Sequence, residues 1–245
     1  MPRDLYTRPP RPADSGAITR RALLRLRPPP TVRDPAGVAA VRTAVAASQA
    51  RPASAEFRRA IRPVARILAD VAGIAPGDRV LDVGSAIDLR RASGSFDFVT
   101  SAFGIAQDPD PERVASELAE QAAPGGVVAI TAWVPRGLPG RLTEFAEQIV
   151  PLPAGVPSPS DWGRAEVATQ RLDRVLADVQ VRTRTLRLTF PDADAAFAAI
   201  TASLPFPDSR LDELRPAFDR LLASCNDALD RVEIAGRYLL VRGRA

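Results

Sequence analysis

Only eleven residues, Ser85 to Ser95, lie between two apolar runs that each read as a β-strand. The first, Arg79-Val80-Leu81-Asp82-Val83-Gly84, follows a Pro76-Gly77-Asp78 turn and ends in glycine; the second is Phe96-Asp97-Phe98-Val99-Thr100. Short apolar runs bounded in this way are the mark of strands buried in a parallel sheet. A parallel crossover, however, usually takes a dozen or more residues and a helix. Eleven extended residues at about 3.3 Å each barely suffice to return along a strand. The spacing therefore leaves two pairings open, a tight parallel crossover and a hairpin.

The neighbouring segments favour an α/β architecture. Helical spacing from Pro111 to Ala122, through Val114 and Leu118, stops at Pro124-Gly125-Gly126 and gives way to a strand from Val127 to Val134. Strand, helix, strand is the grammar of that class. The Pro-Gly-Gly run reads as a helix stop and tight turn rather than a phosphate cradle, because a strand follows it. Upstream, residues 54–73 put Phe57, Ile61, Val64, Ile67, Leu68 and Val71 on one helical face and arginines opposite, with Pro63 expected to kink the helix. Downstream, helices are expected at about 139–149, 160–178, 191–203 and 210–231, with an alternating strand Val181 to Phe190 and a closing strand Gly236 to Arg242. Cys225 falls on the stripe of the last helix and reads as core.

Composition removes several kinds of chemistry. The chain has no histidine, and so lacks the commonest neutral-pH base, the commonest zinc ligand and every Ser-His or Cys-His pair. No metal site is expected. All 33 basic residues are arginines, unevenly placed: residues 1–66 carry 14 arginines against 4 acids, and residues 67–245 carry 19 against 25. Residues 1–36 hold eight prolines with almost no apolar periodicity and read as a flexible arm. Its charge suits nucleic acid, an anionic membrane or an acidic partner, but a solvated Arg-biased tail is the favoured reading, and nucleic acid is not an expected partner. No apolar stretch reaches the roughly 18 residues of a bilayer span. Arg20-Arg21 is followed by Arg25, Arg27 and three prolines instead of an apolar segment, so a cytoplasmic protein is expected.

The run from Ala75 to Gly84 resembles the opening strand and nucleotide-binding turn of class I S-adenosylmethionine (SAM) dependent methyltransferases, in particular ubiquinone and menaquinone C-methyltransferases. Later blocks follow in that family's order: Gly94 to Ser101, an acidic helix, Pro124-Gly125-Gly126, Thr131-Ala132-Trp133-Val134-Pro135 and Asp161-Trp162-Gly163. The similarity spans about residues 54–245. It implies a Rossmann-like sheet, mostly parallel with an antiparallel C-terminal strand, in one domain over 37–245, with helical lid elements at about 138–178 and 191–231. It further implies SAM as cofactor, faced by Asp82, Gly84, Ser85, Asp88, Ser101 and Phe103, and a small apolar or aromatic acceptor bordered by Trp133 and Trp162.

The family pattern D-x-G-x-G-x-G stands here as Asp82-Val83-Gly84-Ser85-Ala86-Ile87-Asp88, with Ala86 and Asp88 in place of the second and third glycines. Where the family inserts two helices and two strands this chain has only Ser85 to Ser95, so roughly forty to fifty residues are expected to be missing, among them the acid that holds the ribose. Removing two outer strands would leave the strand at 79–83 on a sheet edge, to be covered by the arm, a second copy or a protein partner. Two functions follow from the resemblance. One is SAM-dependent methyl transfer; the alternative is a non-catalytic methyltransferase-fold protein, a pseudoenzyme, acting through partners.

Overall fold

A computed structural model describes residues 35–49, 54–84, 95–226 and 230–245. Its strands β1 (Val80–Asp82), β2 (Phe96–Ala102), β3 (Ala122–Trp133), β4 (Ala177–Phe190) and β5 (Val232–Arg244) form one sheet in the order β1-β2-β3-β5-β4. β1, β2 and β3 pair in parallel, and β5 is antiparallel to both β3 and β4, so four of the five strands run one way. The sheet is thus the mostly parallel one expected, with an antiparallel C-terminal strand.

The parallel alternative for β1 and β2 is the one adopted. β1 has only three residues, about 10 Å of strand, so the return path is short. Pairing extends slightly beyond it: Val83 N–H donates to the Thr100 carbonyl at 2.7 Å, and Asp97 N–H to that of Arg79 at 2.9 Å. β1 is not the buried strand its apolar run suggests. It forms one edge of the described sheet, and Val80 is 39% exposed while Val83 is fully buried.

Helices cover both faces. α2 (Ser54–Ala72), α4 (Leu138–Ile149), α6 (Ala193–Thr201) and α7 (Leu211–Ala223) share one core with Val127, Ala129, Leu188, Ile234 and Leu240. α3 (Pro111–Gln121) and α5 (Ala165–Leu172) share the other with Val128, Ile130, Ala132, Leu239 and Val241. This two-sided burial is why β3 is apolar at successive positions instead of alternating. α1 (Pro35–Gln49) packs Val38 and Val41 on Val156, and Arg42 pairs with Asp108 at 3.5 Å.

Several expectations need correction. α1 begins inside the segment read as a flexible arm, at Pro35; residues 1–34 lie outside the described residues. Pro124-Gly125-Gly126 sits within β3 as a bulge, where three extra residues separate the partners of Phe96 and Phe98 and Gly125 takes φ +79°. The helix expected over 160–178 is a 3₁₀ turn, Pro159–Gly163, then α5, with β4 already begun at Ala177. At the break the backbone passes so close to β3 that a methyl group on Gly163 would lie 1.7 Å from the Trp133 carbonyl oxygen. Cys225 is exposed: α7 ends at Ala223, and Cys225 N–H closes the following turn on Leu222.

Candidate functional site

The C-terminal ends of β1 and β2 open into a cleft of about 460 Å³. One wall is α2, through Phe57, Arg58, Ile61 and Arg62; the other is built from Asp82, Val83 and Gly84 after β1 and from Phe103, Gly104 and Gln107 after β2. Crevices at the carboxyl ends of parallel strands are the usual ligand sites of open α/β sheets.

Short side chains lock the two turns together. Thr100 Oγ1 donates to Asp82 Oδ1 at 3.1 Å, which aims that carboxylate. Ser101 Oγ donates to the Val83 carbonyl at 2.7 Å and accepts from Ile105 N–H at 3.3 Å. Ser101 is completely buried and joins turns rather than lining the cleft. Gly104 is required by proximity, since a methyl group there would lie 2.1 Å from the Gly84 carbonyl oxygen.

Phe103 adopts φ +65°, a conformation costly for a bulky side chain. Its N–H donates to Thr131 Oγ1 at 3.1 Å, and its ring stacks on Trp133 with centroids 3.8 Å apart and planes 8° apart, with Tyr238 edge-on at 5.6 Å. The strained backbone thus sets an aromatic ring at the cleft wall. A smaller cavity of about 40 Å³ shares Phe57, Phe103, Gln107 and Ser203 with the cleft and adds Trp133, Thr143 and Ser160. Gln107, which lines both, donates from Nε2 to the Ser203 carbonyl.

The structure therefore gathers Asp82, Gly84 and Phe103 at one cleft and Trp133 at its annex. Trp162 lies elsewhere, 1% exposed in the core shared by α3 and α5, with the Arg171 guanidinium 4.8 Å from its ring centroid. Burial pulls the Arg171 pKa below its ordinary value, against the pull of Asp161 and Glu112. Ser85 and Asp88 lie outside the described residues. Sequence reading missed Arg58 and Arg62, whose only signal is their i, i+4 spacing on the flank of an apolar stripe, and also Gly104 and Gln107. Among the described residues no cluster of three or more Cys, Asp or Glu is placed to hold a metal, and no helix is long and apolar enough to cross a membrane.

No family model matches the chain. The uncharacterized protein Rv1403c of Mycobacterium tuberculosis H37Rv is 28% identical over 173 residues, 51% of this chain and 63% of the relative. Rv1405c of the same organism, also uncharacterized, is 33% identical over 79 residues, 32% of this chain and 29% of the relative. The chain thus spans less than two thirds of the length of these relatives. Among solved structures, a putative methyltransferase from Bacillus halodurans aligns at TM-score 0.43 and 13% identity, covering 73% of this chain and 97% of that one. YcgJ from Bacillus subtilis aligns at TM-score 0.45 and 13% identity, covering 73% and 96%. Phosphoethanolamine N-methyltransferase 2 of Haemonchus contortus, solved with phosphomonomethylethanolamine and S-adenosylhomocysteine, aligns at TM-score 0.42 and 15% identity, covering 75% and 52%.

Proposed function

We propose that this chain is a class I SAM-dependent methyltransferase-like protein, closest in motif pattern to the quinone C-methyltransferases, whose cleft receives a small apolar or aromatic acceptor. The observation that carries the reading is the cleft itself. It opens at the carboxyl ends of two adjacent parallel strands and is lined by Asp82 and Gly84, the residues that match the family's turn. Methyl transfer in such a site rests on aligning donor and acceptor and needs no histidine base.

The residues present fit the cofactor only in part. The Asp82–Gly84 turn and Phe103 supply one wall, but Asp82 is the only acid among the described cleft residues. β1 is the outermost described strand, so among the described residues no strand beyond it brings a second carboxylate for a ribose. This observation favours a second reading, a protein of methyltransferase descent that acts through partners, with the β1 edge as the strand a second copy or another chain would extend.

Calorimetric titration with SAM and S-adenosylhomocysteine separates the two. Binding at micromolar affinity supports the enzyme reading, and absence of heat at high ligand concentration refutes it.

A further inference from the structure

The α2 wall of the cleft is chemically divided. Phe57 and Ile61 are buried against the sheet, while Arg58 and Arg62, one helical turn apart, stand on the same cleft-facing side. Some arginines of the fold are ion-paired, as Arg59 on the same helix is with Glu56 at 2.6 Å, Arg42 with Asp108 and Asp110, and Arg113 with Asp108 and Glu117; others, such as Arg66 and Arg141, have no such partner among the described residues, and what sets Arg58 and Arg62 apart is their place on the cleft wall. Arg58 and Arg62 have no acid at ion-pair distance among the described residues. The cleft's single described acid, Asp82, accepts from Thr100 instead.

We infer that the molecule bound in this cleft is a small aromatic acid, its ring against Phe57 and Phe103 and its anionic group held by Arg58 and Arg62. Both guanidinium groups are exposed, so a neutral apolar ligand gains nothing from them, whereas a carboxylate or phosphate accepts from both forks. Among the described lining residues, two positive charges against one negative also favour an anionic ligand. The inference uses the cleft of the proposed function and deepens its acceptor class, but it does not require the cofactor to bind.

The test is therefore run on the full chain without SAM, titrating benzoate, its neutral isostere benzamide, phenyl phosphate and inorganic phosphate by calorimetry. Benzoate or phenyl phosphate is expected to bind about tenfold or more tightly than benzamide, with the better of the two naming the acid. The Arg58→Gln, Arg62→Gln double variant should erase that preference, weakening benzoate and phenyl phosphate to the level of benzamide. Both side chains are exposed, so the variant is expected to keep the parent's melting curve, which serves as the control for folding. Equal binding of the acids and benzamide would overturn the inference, as would a preference that survives the double variant, inorganic phosphate binding as well as the aromatic acids, or no binding by any probe. None of these outcomes alters the SAM titration, so failure here and failure of the cofactor reading are read separately.

Discussion

Replacing Gly104 by alanine tests whether the two cleft turns are as closely joined as the structure has them. The added methyl carbon would lie 2.1 Å from the Gly84 carbonyl oxygen, 2.6 Å from its carbon and 3.1 Å from the Val83 oxygen, all backbone atoms. Reaching even a tight 3.0 Å contact requires the Gly84 carbonyl to retreat by about 0.9 Å. That movement pulls on the Val83 N–H bond to Thr100 and the Ser101 bond to the Val83 carbonyl, each 2.7 Å. Overpacking of this kind costs about 1–3 kcal/mol. At roughly 2–4 °C per kcal/mol for a chain of this size, the variant should melt about 4–8 °C lower for a 2 kcal/mol loss. Because β1 is a three-residue edge strand, part of the strain can be released by local opening, so hydrogen exchange at the Val83 amide should accelerate as well. Calorimetric melting and amide exchange together decide the matter. An alanine variant that melts like the parent and protects Val83 equally would show that Gly104 is not seated against Gly84.

Two other perturbations address the cleft and its surroundings. At Phe103 the usual order of small residues should invert: Phe103→Ala loses the ring stack and about 3–5 kcal/mol, and Phe103→Gly, free at φ +65°, should be more stable than alanine by roughly 0.5–1 kcal/mol in urea unfolding. Glycine falling below alanine would contradict the left-handed backbone. Glu147 accepts from Ser158 Oγ at 2.6 Å, and burial raises its pKa above 4.5 despite that bond. The folded protein therefore holds this proton more tightly than the unfolded one, and the associated stability, complete below 4.5, is lost as pH rises through the raised value. Glu147→Gln should accordingly gain stability over the parent at neutral pH, with the advantage vanishing on acidification; a pH-independent difference would refute this.

What could be read from the sequence followed how each residue is buried. β3 was legible because both faces of Val127 to Ala132 are covered, leaving an uninterrupted apolar run, and α2 because its stripe stands out against arginines. α1 was not, since its alanine-rich sequence offers only Val38 and Val41 as described apolar anchors. The short 3₁₀ turn Pro159–Gly163 at the start of the helix expected over 160–178 brings Gly163 against the Trp133 carbonyl, a contact that no local propensity encodes. At the site, Asp82 and Gly84 were found by motif, whereas Arg58 and Arg62 looked like an ordinary solvated helix face until the fold placed the strand ends beside them. Trp162 was assigned by motif to the acceptor and lies instead beneath Arg171 on the far face.

The position of β5 carries a consequence for how the molecule is made. It threads between β3 and β4, with Val128 opposite Gly243 and Leu188 opposite Ile234, so β4 meets the rest of the sheet only through β5. During synthesis β4 must wait, unpaired, while α6 and α7 are translated, and closing the β3–β5 ladder joins residues more than a hundred positions apart. Such long-range closure is slow and leaves strand edges open to neighbouring nascent chains. β4 also forms the other edge of the described sheet, and the arginines exposed along it, Arg182, Arg184 and Arg187, place charge where an apolar edge would invite pairing with another chain.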